Sequence, residues 1–145
     1  MSPLTLAQAS IIVDAALAKG RELNLAPLTV VILDAGGHAV ALKREDSSGI
    51  LRADIATGKA WGALGMGFGS RELAARAEKA PKFFAALFAV SQGRIVPGAG
   101  GVLIRDAAGD VIGATGISGD TSDHDETCAV AGIEAAGLQP DTGTG

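Results

Sequence analysis

The chain has 145 residues and a formal net charge of −4, with 48% hydrophobic residues but only 3% aromatic ones. That length suits one domain, and that apolar fraction supplies a core of Ala, Val, Ile and Leu that needs no disulfide or metal. Scattered basic residues with few aromatics exclude a nucleic-acid stripe, the 21 glycines follow no collagen period, and the single Cys128 excludes an internal disulfide or cysteine metal cluster.

No basic and apolar leader opens the sequence, so no secretory signal is expected. No apolar stretch reaches membrane-spanning length unbroken, so no membrane contact is expected either. A lone cysteine fits a reducing, cytoplasmic setting. Residues 5–24 read as a helix opened by the capping-box pair Thr5 and Gln8. Leu4, Ala7, Ile11, Ala15 and Ala18 recur at three- and four-residue spacing and predict its apolar face. Residues 28–33 form a β-branched apolar run, expected to be a strand buried on both faces. Asp34-Ala35-Gly36-Gly37 then predicts a hairpin turn into a second strand over 38–44.

After a polar loop at 45–48, a second helix is expected over 49–64, with Leu51, Ile55 and Gly62 facing inward. Gly58, Gly62 and Gly65 each cost a helix about 1 kcal/mol against Ala, which points to close packing. Ser70 is expected to cap a short helix through Ala77, and Pro81 to start a turn carrying Phe83, Phe84, Leu87 and Phe88 on one apolar face. Strands follow at 101–105 and 111–117, joined by the turn Asp106-Ala107-Ala108-Gly109-Asp110. A last helix is expected over 123–136, ended by Gly137. Residues 1–138 then make one domain and 139–145 a frayed, flexible tail. The order α-β-β-α-α-β-β-α, with hairpins at both ends, implies an antiparallel sheet with helices against it.

Several groups could carry chemistry. The glycines of residues 62–69 resemble a dinucleotide fingerprint but follow a helix where a strand is required. Gly116-Ile117-Ser118-Gly119-Asp120 resembles a nucleophile elbow with its second Gly one residue early; His124 and nearby acids would complete a Ser-His-Asp triad. The alternatives there are a capped helix start, or a seat for an anionic ligand at its N–H groups. Asp120, Asp123, Asp125 and Glu126 lack the spacing of a calcium loop. Arg44, Arg52 and Lys59 could together clamp carboxylates, the alternative being salt bridges to Asp46 and Asp54. His38 and His124 are the only histidines, and either could serve as an axial haem ligand.

Taken together, residues 31–38, Lys43-Arg44-Glu45-Asp46, Ala56-Thr57-Gly58-Lys59-Ala60, residues 100–104, residues 111–119 and Asp125-Glu126 resemble the GlcG/HbpS-like family, which is similar to the C-terminal domain of PduO. The resemblance spans residues 4–138. It implies an α+β fold with an antiparallel sheet of about five strands flanked by helices in profilin-like layers, and homo-oligomers. It also implies a small-molecule ligand that in some members is haem. The family's recurring positions fall on Asp34, Gly37, Arg44, Asp46, Lys59, Gly101, Gly116, Ser118, Gly119, Asp125 and Glu126, and with His38 and Gly100 from the residue reading the expected ligand site comprises His38, Arg44, Asp46, Lys59, Gly100, Gly101, Ser118, Gly119, Asp125 and Glu126. Three readings follow. One is a module binding a planar or anionic ligand between the Lys59 helix and the glycine turns. The second is an enzyme on a small carboxylate or carbonyl compound, with Lys59 or His38 as acid or base. The third is an oligomeric assembly subunit.

Overall fold

A computed structural model describes residues 3–143. The capping box forms as the sequence predicts: the Gln8 N–H donates to Thr5 Oγ1 at 3.1 Å and the Thr5 N–H to Gln8 Oε1 at 3.0 Å. They open α1 (Leu6–Glu22). Its buried face is Ala9, Ile12, Val13, Ala16 and Gly20, whereas the predicted Ala7, Ile11 and Ala18 are exposed. Alanines on every side let two stripes satisfy helical spacing, and the pair Ile12 and Val13 buries more apolar area than Ile11 alone.

The hairpin forms from β1 (Thr29–Asp34) and β2 (Ala39–Arg44). Central β1 is buried along nearly its whole length, while β2 is an exposed edge. Next come α2 (Arg52–Met66), α3 (Ser70–Lys79) and α4 (Pro81–Val90). Leu51 lies outside α2 and is exposed, and only Phe84 of the expected aromatic face on α4 is buried. Gly65 faces open space, so close packing explains Gly58 and Gly62 but not Gly65. The chain closes with β3 (Gly101–Arg105), β4 (Val111–Ser118), α5 (Ser122–Ala135) and β5 (Gln139–Asp141).

All neighbours in the five-stranded sheet, ordered β2-β1-β4-β3-β5, are antiparallel. The fifth strand corrects the reading of residues 139–143 as a frayed tail: Leu103 pairs with Asp141 and Arg105 with Gln139. The Arg105 guanidinium also donates to Asp141 Oδ2 at 2.8 and 3.0 Å. The rest of that tail, 144–145, lies outside the described residues.

Strand alternation sorts the core into two layers. Val30, Ile32, Val102, Ile104 and Ile117 pack with α1 and α5. Val31, Leu33, Leu103 and Ala114 pack with the α2 alanines Ala56, Ala60 and Ala63. A smaller cluster of Leu73, Phe84 and Ile95 ties α3 and α4 to the side of α2. Among the described residues no helix is long and apolar enough to cross a membrane.

Candidate functional site

Helix α2 presents two working faces. Toward the sheet it carries Ala56, Lys59 and Ala60, and the strands meet it with glycines. A Cβ on Gly116 would stand 1.9 Å from the Ala56 carbonyl oxygen, and one on Gly101 would stand 2.3 Å from that of Lys59. Helix and sheet therefore touch backbone to backbone, which only a residue without a side chain permits.

Away from the sheet, Asp54, Ile55, Thr57, Gly58 and Trp61 line one wall of a groove of about 500 Å³. Its other walls are Gly37 of the hairpin turn and Gly93, Arg94 and Val96 of the segment after α4. That segment lies tight against α2, because the Val96 N–H donates to the Gly58 carbonyl at 3.3 Å. A Cβ on Gly58 would sit 2.5 Å from the Arg94 carbonyl oxygen. The Arg94 guanidinium rests 3.8 Å over the Trp61 ring, and its Nε donates to the Ser91 carbonyl at 3.0 Å. Its two terminal NH2 groups make no hydrogen bond to the described residues and remain donors for a ligand carboxylate. A cleft of this volume, mostly apolar with a few polar groups, is the kind of place where proteins hold small molecules.

The sequence-predicted residues lie elsewhere. Lys59 is only 4% exposed and Asp125 only 1%. The ammonium of Lys59 donates to Asp125 Oδ2 at 3.2 Å and to the Ile117 carbonyl at 3.0 Å, while Asp125 Oδ1 accepts the Asp120 N–H at 3.1 Å. Burial pushes Lys59 below its ordinary range and Asp125 above its own, each against the attraction of the other. Gly100 and Gly101 close over the same lysine, and the Ile117 N–H donates to the Gly100 carbonyl at 3.0 Å. The Lys59 helix and the two glycine turns thus do converge, but on a filled junction; Lys59 does not line the groove.

Ser118 is buried beside this junction and accepts from Arg52 at 3.0 Å. Next to it Gly119 packs on the backbone of Pro27 and Leu28. His124 pairs instead with Asp120, Nδ1 to Oδ2 at 2.6 Å. No hydrogen bond joins His124 to Ser118 among the described residues, so the triad is not assembled. The Ala26 N–H, then His124, hold the Asp120 carboxyl down at about 2. Thr121 caps α5 by accepting the His124 N–H. Ser70, expected to cap α3, sits inside its first turn: its Oγ donates to the Gly98 carbonyl at 2.5 Å and accepts the Gly101 N–H at 2.7 Å. Glu126, together with Asp123, holds Arg71 of α3. Arg44 donates to the Ser48 carbonyl at 3.1 Å, and Arg44 and Asp46 line a separate, shallow polar hollow with Arg21. The described residues contain no group of His, Cys, Asp and Glu able to hold a metal ion.

His38 follows the lining residue Gly37 in the turn but does not itself line the groove. It is exposed, with Nδ1 3.3 Å from Asp34 Oδ1. An imidazole whose Nδ1–H faces a carboxylate offers Nε2 as a metal ligand. The residues that sequence reasoning missed are Trp61, Arg94, Asp54 and Thr57. The sole tryptophan one turn after Gly58 was the available signal.

This geometry fits a haem-like molecule in part. The stack of Arg94 on Trp61 offers a flat face, and the free edge of Arg94 a fork for a carboxylate. The lining itself holds no His, Cys, Met or Tyr, the ordinary protein ligands of haem iron.

Comparison with known proteins agrees on the fold. A family model described as haem degrading protein HbpS-like matches residues 4–134. A Citrobacter freundii protein of 15.0 kDa from the dhaT-dhaS intergenic region is 30% identical over 134 residues, 92% of each chain. The crystal structure of a PduOC complex with haem superposes with a TM-score of 0.85 at 26% identity, covering 94% of this chain and 97% of that one. Protein ORFY of Klebsiella pneumoniae follows at 0.84 and 27% identity, covering 94% and 93%. A double mutant of HbpS from Streptomyces reticuli gives 0.79 and 27%, covering 92% and 87%.

Proposed function

The chain belongs to the HbpS-like family, described as haem degrading, and from that premise we propose that it binds a planar, anionic small molecule of the haem class in the groove along α2. The observation that carries this reading is the stack of Arg94 on Trp61 inside a groove of about 500 Å³. Trp61 with the guanidinium stacked on it supplies a flat surface, the free edge of Arg94 a bidentate carboxylate donor, and Thr57 a hydroxyl. Haem bound here would bring redox-active iron. The protein's own part is to hold the ring plane against the Trp61–Arg94 stack and to anchor a carboxylate at the free edge of the Arg94 guanidinium. The set of Lys59, Gly100, Gly101, Ser118 and Asp125, all buried, with half-buried Gly119 and Glu126, supports this site from beneath by fixing α2 and α3 on the sheet. Titration with haemin tests the reading: a shifted, saturable Soret band is expected in the wild type and its loss in Trp61→Ala. An unshifted band at micromolar protein removes haem.

We further propose that copies of the chain associate. Ile50 is 93% exposed and Val90 81%, with Leu51 and Phe83 also open to solvent, and these large apolar side chains would be covered by association. Light scattering of Phe83→Ser/Val90→Ser is expected to report a smaller particle than the wild type. The buried free thiol Cys128, pushed up to about 11 mainly by burial, is compatible with a cytoplasmic protein.

A further inference from the structure

We infer that the groove recognises its ligand by ring face and carboxylate, without a metal–ligand bond, so that a metal-free porphyrin dicarboxylate is a ligand in its own right. The inference rests on the reading of the groove as a haem-class site. Its first support is the lining, whose side chains are one Asp, one Ile, one Thr, one Trp, one Arg and one Val beside three glycines. None of these is an ordinary axial ligand for haem iron. The second is the state of Arg94. Its aromatic stack and its Nε bond to the Ser91 carbonyl fix the guanidinium plane while its terminal NH2 groups stay uncommitted, so a carboxylate meets an oriented fork. The third is His38: its place in an exposed turn makes any bond from it to a bound metal a solvent-accessible one.

Trp61 is the only tryptophan, so its emission reports on the groove itself. The test titrates the wild type with protoporphyrin IX, haemin and protoporphyrin dimethyl ester, with emission corrected for absorption by the porphyrin. Protoporphyrin IX and haemin are expected to quench Trp61 with Kd values within about threefold of each other, and the ester to bind at least about tenfold more weakly, the factor that a lost charge-assisted bond of about 1.4 kcal/mol gives. Arg94→Gln is expected to weaken both acids about tenfold and leave the ester unchanged, with Arg94→Lys intermediate. His38→Ala is expected to leave all three unchanged. If haemin binds and protoporphyrin IX does not, or His38→Ala abolishes haemin alone, the iron bond carries recognition: the inference fails while the haem reading stands. Equal binding of ester and acid removes the Arg94 anchor. Failure of all three to quench overturns both the inference and the haem reading.

Discussion

At the scale of single residues, the buried pair of Lys59 and Asp125 sets the largest local stake. Each charge is tolerated only because the other lies 3.2 Å away and backbone groups complete its hydrogen bonds. Removing one partner strands the other, which costs about 3–5 kcal/mol, whereas removing both charges leaves no orphan. Lys59→Met is therefore expected to lose most of the fold's stability in urea, and Lys59→Met/Asp125→Asn to regain much of it, since the Asn carbonyl can still accept the Asp120 N–H. A double variant no more stable than the single one would show that Lys59 acts through packing alone. Asp120 makes a separate, pH-dependent contribution. Its folded value of about 2 lies below its unfolded one, so the stability it supplies is present above the unfolded pKa of about 3.9 and is lost as pH falls toward 2. The Tm difference between wild type and Asp120→Asn should be full at pH 6, shrink below pH 4 and close near pH 2. Thr115 points the opposite way. Its hydroxyl is buried without a hydrogen-bond partner among the described residues, so Thr115→Val should be neutral or stabilising by up to about 1 kcal/mol in denaturant titration.

At the scale of elements, glycine decides where α2 sits. Gly116 and Gly101 let two carbonyls of α2 rest on the strands, and a methyl at Gly116 has backbone, not a flexible side chain, in its way. Gly116→Ala should cost about 3 kcal/mol and blunt ligand binding by lifting the Asp54–Trp61 wall. Gly65→Ala, facing open space, should gain about 0.5–1 kcal/mol by helix propensity. These two positions show what was legible along the chain. The unbroken apolar run of β1, the Asp34–Gly37 turn and the Thr5 capping box carry their signals locally, and each formed where expected. The buried face of α1 was misread because alanine is apolar on every side of that helix. The groove could not be read, because it joins Gly37, Asp54–Trp61 and Gly93–Val96, three segments brought together only by tertiary packing. Lys59 and the motif around Ser118 were legible as a converging set, yet nothing local distinguishes a lysine buried against Asp125 from one lining a cavity. Asp54 lines the groove and would repel the second carboxylate of the proposed dianionic ligand, so Asp54→Asn should tighten protoporphyrin IX severalfold, more at low salt than at high salt.

For the whole molecule, the decisive question is how the sheet ends. One edge, β2, is blunted by the exposed Lys43 and Arg44. The other would be β3, whose Val102, Leu103 and Ile104 are fully buried, were it not covered by the three residues of β5. Gln139-Pro140-Asp141 has almost no strand propensity, which is why the sequence reads as a tail. Proline is tolerated there because an edge strand has one side with no ladder to complete. The segment stays because Asp141 accepts twice from Arg105 and because residues 142–143 lie against Gly69 at the start of α3. A chain ending at Leu138 would therefore expose an apolar strand edge and loosen α3 together. The expected outcome is a lower urea midpoint and concentration-dependent aggregation in light scattering, with Arg105→Gln showing a weaker version of both. Should the shortened chain match the full one in midpoint and in scattering, β5 is an ornament and β3 is protected by another element. If only the midpoint falls, β5 stabilises the fold without guarding its edge.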